Sequence, residues 1–182
     1  MKWSPVLRMR CVTTVFPRKK SDLLEWKGSS KRDVIRFFVE RQFGSNQRSL
    51  EERTDRTFTD FRQMLREEYQ TSGVVPIKGA EITFCWLLDR SICVETTTGF
   101  DRQTNDLLLR TAGWQQIFSN SVCSSDVALG RPAWFMIFHA MEAANVTEVS
   151  EVINIGDIPL DLQAGARGVM GVLMGAHTVP QS

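Results

Sequence analysis

Apolar residues recur at helical spacing in two stretches of the first third of the chain. The apolar positions are Val34, Ile35, Phe38 and Val39 in the first stretch and Phe58, Phe61, Leu65 and Tyr69 in the second. Ser29 or Ser30 can cap the first helix, because a serine hydroxyl accepts a hydrogen bond from a backbone N–H of the first turn. The pattern predicts amphipathic helices over residues 29–43 and 50–71, which together form a small helical unit.

Beyond residues 74–79, where proline and glycine mark a boundary, the pattern alternates between helices and strands. The predicted helices cover residues 80–88, 101–109, 132–141 and 160–167. The predicted strands cover residues 92–96, 122–123, 152–155 and 169–174. Alternation of this kind predicts an α/β fold, in which a parallel sheet carries helices on both faces.

The first 21 residues differ in charge from the rest of the chain. They contain no acidic residue before Asp22, whereas their basic residues are Lys2, Arg8, Arg10, Arg18, Lys19 and Lys20. A basic, acid-poor leader is typical of organelle transit segments, and a short strand over residues 6–16 is the alternative. The predicted organisation is therefore a basic segment at 1–21, a helical unit at 22–75 and an α/β core at 76–182.

The overall composition limits which kinds of partner and which cellular compartment can be expected for this chain. The 182 residues include 22 basic and 21 acidic ones, so no global field favours a nucleic acid as partner. No apolar run is long enough to span a membrane. The four cysteines form no CxxC pair, which favours reduced thiols and a cytoplasmic protein, with an organelle as the alternative if 1–21 is a transit segment.

Two carboxylates follow the predicted strand at 152–155. Asp157 comes directly after the glycine that ends the strand, and Asp161 follows four residues later on the next helix. A carboxylate at the carboxyl end of a parallel strand faces the crevice where α/β sheets bind ligands, and paired carboxylates suit Mg²⁺. The alternative is that Asp157 ends the strand and Asp161 caps a helix.

Two further strand ends carry groups that can bind phosphate. Thr98 and Gly99 offer a hydroxyl and backbone N–H groups at the start of a helix. Arg131 offers a guanidinium fork, and Pro132 stiffens its approach. Taken singly, Thr98 could equally be a turn residue and Arg131 a solvated surface charge, but their order and spacing favour a shared site.

These motifs together resemble those of the haloacid dehalogenase-like hydrolases. The segments at 97–102, 130–132 and 156–165 look like the second, third and fourth motifs of the family, and 171–178 is similar to its phosphonatase-like branch. The resemblance implies a Rossmann-like core, with Thr98, Gly99 and Arg131 binding phosphate. It also implies Mg²⁺ held by Asp157 and Asp161.

The helical unit at 22–75 then looks like the cap of the family. Residues 28–33 are similar to the cap motif that supplies a lysine in phosphonoacetaldehyde hydrolase, which makes Lys31 a candidate catalytic residue. An imine between that lysine and an aldehyde can accept the electron pair that is released when a C–P bond breaks. Formation of the imine requires the neutral amine. A solvated lysine at a helix start is the alternative for Lys31. A homodimer through the cap is a further expectation.

The chain departs from the family at the first motif, which carries an aspartate nucleophile on the central strand. Met9 stands where that aspartate belongs and Cys11 at the second position, and neither replaces a carboxylate. The core is therefore expected to be incomplete. The sequence predicts a Mg²⁺-dependent hydrolase of a small phosphonate or phosphate ester, impaired by loss of the nucleophile. The alternative is a non-catalytic phosphate-binding or interaction protein with the same fold.

Overall fold

The computed structural model describes residues 26–168 and 171–174. The helices are α1 (Lys31–Phe43), α2 (Gln47–Ser72), α3 (Ala80–Leu88), α4 (Arg102–Ala112), α5 (Phe135–Ala143) and α6 (Pro159–Gly168). The strands are β1 (Thr96–Thr98), β2 (Ser121–Cys123), β3 (Ile153–Gly156) and β4 (Gly171–Met174). The predictions made for residues 1–25, including Met9 and Cys11, for residues 169–170 at the start of the last predicted strand and for residues 175–182 lie outside the described residues.

Helices α1 and α2 form the hairpin that the apolar spacing predicts. Ser30 caps α1 by accepting a hydrogen bond from the Asp33 N–H, and Asn46 caps α2 in the same way through Ser49. The facing sides share a buried cluster: Val34, Ile35, Phe38, Val39, Leu50, Phe61, Leu65 and Phe100. Phe100 follows β1, so this apolar cluster also anchors the hairpin to the α/β part of the chain.

The strands pair in parallel, as the alternating pattern predicts. Strand β1 lies beside β2, with Thr97 opposite Val122, and β3 lies beside β4, with Ile155 opposite Leu173. Among the described residues, no strand joins the two pairs into one sheet. Helix α5 lies against the β1–β2 pair and against α6, and its inner face buries Met136, Ile137, Ala140 and Met141.

Three details differ from the sequence-based predictions. Strand β1 begins at Thr96, so residues 92–95 of the predicted strand are not part of it. The β-branched apolar residues at 152–155 are typical of a strand buried on both faces, but Ile153 and Ile155 of this strand are 61% and 66% exposed. An apolar run alone does not reveal whether a second layer covers it. Trp134, directly before α5, and Phe138 on α5 are each 39% exposed, although the spacing of Trp134, Ile137, Phe138 and Met141 predicts one shared apolar face.

The helices of the described part of the chain include none long and apolar enough to cross a bilayer. The division between a cap at 22–75 and a core at 76–182 stays a prediction.

Candidate functional site

Four loops converge near the carboxyl ends of β1, β2 and β3. They are the turn before α1, the loop after β1, the segment around Ser124 and Arg131, and the start of α6. The centre of contact is Gly99, whose carbonyl accepts hydrogen bonds from the Lys31 backbone N–H at 3.3 Å and from the Ser124 hydroxyl at 3.2 Å. A side chain at Gly99 would lie 2.6 Å from the Ser29 carbonyl, so the close approach requires glycine.

Lys31 turns its side chain towards this centre. Its ammonium donates a hydrogen bond to the Ser29 carbonyl at 3.0 Å and lies 5.6 Å from the centroid of the Phe100 ring. Burial, reinforced by the positive charge of Arg131, lowers the pKa of Lys31 from 10.5 to about 8. About one tenth of this amine is therefore neutral at pH 7, far more than of a solvated lysine, and nucleophilic attack by a lysine requires the neutral form.

Arg131 and Asp161 form a buried ion pair. Their side chains are only 12% and 8% exposed, and an Arg131 Nη1–H donates to the Asp161 Oδ1. Gly156 makes room for this arrangement, because a side chain at that position would overlap the Asp161 side chain. Within the described residues, the Arg131 Nε is buried without a hydrogen-bond partner. A buried donor without a partner is costly, and an anionic ligand would satisfy it.

Asp157 lies at the rim and contacts Lys27, with 2.8 Å between the Lys27 Nζ and the Asp157 Oδ2. Burial alone would raise the pKa of the Asp157 carboxyl, but the hydrogen bond and charge of Lys27 outweigh it and hold that pKa below its ordinary value. The neighbouring residues Gly28 and Ile158 are in close contact, and Arg131 lies beside them. The rim pair is thus adjacent to the buried pair.

The site residues predicted from the sequence are brought together to different degrees. Lys31, Gly99, Arg131 and Asp161 share the centre, and Asp157 lies beside them at the rim. The Thr98 hydroxyl accepts a hydrogen bond from the Phe100 N–H at 3.2 Å, so it stabilises its own loop in this arrangement. Its position directly before Gly99 keeps it next to the centre.

The two carboxylates expected to bind Mg²⁺ are already engaged by basic side chains. Lys27 contacts Asp157, and Arg131 contacts Asp161. The described residues contain no group of three or more histidine, cysteine, aspartate or glutamate side chains placed to hold a metal ion. Mg²⁺ prefers an octahedral set of oxygen ligands, so the donors that the described residues supply here do not fit it.

A family model described as "Haloacid dehalogenase-like hydrolase" matches residues 12–174. The chain belongs to this family. Its curated relatives include phosphonoacetaldehyde hydrolases from Latilactobacillus sakei and Bacillus cereus. The first is 32% identical over 117 residues, which are 63% of this chain and 44% of the relative. The second is 31% identical over 110 residues, which are 58% of this chain and 41% of the relative. The matched regions therefore span less than half the length of these relatives.

Solved structures of haloacid dehalogenase-like proteins share the fold. A phosphonoacetaldehyde hydrolase-like protein from Oleispira antarctica superposes with a TM-score of 0.69 at 20% identity, covering 86% of this chain and 58% of the other. CbbY from Rhodobacter sphaeroides, solved in complex with phosphate, gives a TM-score of 0.64 at 15% identity, covering 88% and 71%. These likenesses confirm the predicted mixed α/β architecture.

Sequence reasoning missed two residues of this haloacid dehalogenase-like site. Ser124 holds the Gly99 carbonyl, and Lys27 contacts Asp157 across 130 positions of the chain. Lys27 directly precedes the segment at 28–33 that is similar to the cap motif, which was the available signal. The pairing with Asp157 has no signature in local sequence.

Proposed function

We propose that this chain is a phosphonatase-like hydrolase whose site takes a small phosphonate or phosphate ester, and that a phosphonate next to an aldehyde suits it best. The observation that carries the proposal is Lys31, a partly buried residue beside Arg131 whose amine has a lowered pKa. The guanidinium supplies positive charge for the phosphonate group, and the amine lies where a short substrate could present its aldehyde. The similarity to phosphonoacetaldehyde hydrolases supports the same substrate class.

Each residue has a defined part in this proposal. Arg131 binds the phosphonate oxygens with its guanidinium fork, and the backbone around Thr98 and Gly99 orients them. The neutral Lys31 amine attacks the aldehyde carbon, and loss of water leaves an imine. When the C–P bond breaks, the protonated imine accepts the electron pair that the carbon retains and becomes an enamine, while the phosphoryl group passes to water as inorganic phosphate. Met9 stands at the position that the resemblance gives to an aspartate nucleophile, so no side chain is assigned as the acceptor of the phosphoryl group.

Magnesium dependence, predicted from the sequence, is the part of the proposal that the arrangement of donors does not support. Asp157 and Asp161 would have to leave Lys27 and Arg131 before they could bind a cation together. Phosphate release with and without Mg²⁺ tests that dependence directly.

Borohydride trapping with phosphonoacetaldehyde tests the role of Lys31. We expect a stable mass increase on the Lys31 peptide of the wild-type chain and none on the same peptide of the Lys31→Met variant. An unchanged mass in the wild-type chain would remove the imine from the proposal. Labelling of other lysines to the same extent would show that the reaction is unspecific.

A non-catalytic phosphate-binding or interaction protein is the second candidate, favoured by Met9 at the position that the resemblance gives to the aspartate nucleophile. Trapping on Lys31 without release of inorganic phosphate would support it. The Met9→Asp variant discriminates further, because a gain of phosphate release would place a nucleophile at that position. No gain would count against Met9 as the lost nucleophile site.

Three further sequence predictions belong to the same proposal: residues 22–75 act as a cap, the chain works in the cytoplasm, and it dimerises through the cap. Phe37 on α1 is 41% exposed, which supports a contact there. Sedimentation of the wild-type chain and of Phe37→Lys tests the dimer, since only the wild type should sediment at twice the monomer mass.

A further inference from the structure

Lys27 stands out because it contacts a carboxylate that was expected to hold a metal ion. Its ammonium lies 2.8 Å from the Asp157 Oδ2, and the two side chains are 32% and 42% exposed. A pair this exposed adds little to folding stability. Its effect is instead on local charge, because it neutralises Asp157 at the entrance to the site.

The Arg131–Asp161 pair likewise places a basic side chain against a carboxylate, in the interior of the site. Each of the two carboxylates is therefore matched by one basic side chain, and two single positive charges equal the charge of one Mg²⁺ ion. Lys31 adds a third positive charge when it is protonated. Among the described residues of the site, three basic side chains then stand against two acidic ones. The balance of one positive charge favours an anionic ligand.

Without these pairs, two carboxylates would repel an incoming phosphate or phosphonate dianion, and a divalent cation would be needed to offset them. We propose that Lys27 and Arg131 take the place of the divalent cation in this chain, so that the site binds a phosphate or phosphonate dianion without Mg²⁺. The inference rests on the proposed function for the binding of such an anion, and goes beyond it in assigning the cation role to Lys27.

The chemistry of the two basic groups fits this role. An ammonium has three donors, and its bond to Asp157 uses one of them. A guanidinium presents several donors in a fixed plane, and the Arg131 Nε is a buried donor without a partner among the described residues. Both groups can therefore hold a carboxylate and still donate to a phosphate oxygen.

Titration calorimetry with inorganic phosphate and with methylphosphonate, in EDTA and then in Mg²⁺, tests the proposal. For the wild-type chain we expect dissociation constants that agree within about twofold between the two buffers. The Lys27→Met variant keeps most of the apolar length of the side chain but leaves Asp157 without its partner. We expect it to bind phosphate about three- to tenfold more weakly in EDTA, with Mg²⁺ recovering part of the loss.

Two further variants distinguish an effect of local charge on phosphate affinity from an effect of the substitution on folding. In Lys27→Met/Asp157→Asn the unpaired carboxylate is removed as well, so phosphate affinity in EDTA should recover most of the loss seen in Lys27→Met, while the donor that Lys27 offers to the anion stays missing. Lys78→Met removes the same charge from an exposed position outside the site and should bind phosphate as the wild type does. Thermal unfolding of each variant confirms that the comparison is between folded chains.

The outcomes distinguish the inference from the proposed function. Phosphate binding by the wild-type chain that requires Mg²⁺ would overturn the cation role of Lys27 and leave the proposed function standing. A double variant as weak as Lys27→Met would also overturn it, because the loss would then not come from the unpaired carboxylate. Absence of phosphate binding in both buffers would overturn the proposed function and the inference with it.

Discussion

The chemistry proposed for Lys31 depends on where its amine lies. The ammonium loses hydration at a position between the Ser29 carbonyl and the Phe100 ring, and it also faces the charge of Arg131. Both influences disfavour the protonated form. A lysine at the same point of an isolated helix would be solvated, so the contact between the turn before α1 and the loop after β1 gives this residue its properties.

Reductive methylation of Lys31 should show the lowered pKa directly. Only the neutral amine reacts, so the rate should rise about tenfold per pH unit and level off above about pH 8, the pKa of the folded chain. In the chain unfolded by urea, the same residue should continue to gain rate to about pH 10. Peptide mass spectrometry across a pH series measures both profiles. A folded-state rate that rises to pH 10 would contradict the burial argument.

A second prediction at this scale concerns Gly156, whose lack of a side chain leaves room for Asp161. A methyl group there would overlap the Asp161 side chain, so Gly156→Ala should destabilise the fold by roughly 1–3 kcal/mol. Gly130→Ala is the matched control, because its methyl group would have only ordinary contacts, at 3.9 and 4.0 Å. Urea unfolding of the two variants measures the difference. Equal stability of both would show that Asp161 moves aside without cost.

At the scale of elements, the hairpin of α1 and α2 is the part that the sequence specifies best. Four positions of α1 recur at helical spacing, and the same four are the buried ones. The helix ends follow from local chemistry as well, since a serine or asparagine side chain caps each start. Helical periodicity and capping are properties of neighbouring residues, so they can be predicted without knowing the rest of the fold.

Truncating one isoleucine in each of two helices tests which helix faces carry the fold. Ile35 on α1 is 1% exposed, whereas Ile82 on α3 is 77% exposed. Ile35→Ala should lower the free energy of unfolding by about 2–5 kcal/mol, and Ile82→Ala should change it by about 0.5 kcal/mol or less. Chemical denaturation of both variants gives the comparison. A large loss for Ile82→Ala would mean that its helix face is covered in solution.

The strands were predicted less completely than the helices, for a physical reason. Strand β3 is an apolar run, and its position and parallel pairing were confirmed, but Ile153 and Ile155 are exposed. The burial of a strand depends on which elements lie above and below it, and these come from distant parts of the chain. Strand β1 begins late for a similar reason, because its length is set by its pairing with β2.

At the scale of the whole molecule, the site is held together by contacts that no local pattern reveals. The two ion pairs join residues 130 and 30 positions apart, and the helical cluster includes Phe100 from the far side of the chain boundary at 74–79. The motifs predicted which strand ends meet. They did not predict that Lys27 would contact one of the acidic residues, because its partner is determined by the completed fold.

The exposed isoleucines of β3 lead to a prediction for the whole chain. Replacing Ile153 and Ile155 with threonine keeps a β-branched shape and reduces the apolar surface that is exposed to water. Dye binding and aggregation should therefore fall, while the free energy of unfolding should change by less than about 1 kcal/mol. Ile137→Thr is the control, because Ile137 is 6% exposed and its substitution should destabilise the fold. Fluorescence of a hydrophobic dye and urea unfolding provide the two measurements. Loss of folding in the double variant would show that this surface is covered in the intact protein.

Trp26 in the turn before α1 is an intrinsic fluorescent probe of that turn. The indole of Trp26 lies 4.7 Å from the Phe37 ring and 6.2 Å from the Phe38 ring, measured between centroids, and Lys27 is the next residue. Because emission from an indole depends on its surroundings, displacement of this turn should shift its spectrum without any attached label. The difference between the wild-type chain and Trp26→Phe isolates that signal, so arrival of an anion beside Lys27 could be followed in real time by stopped-flow spectroscopy.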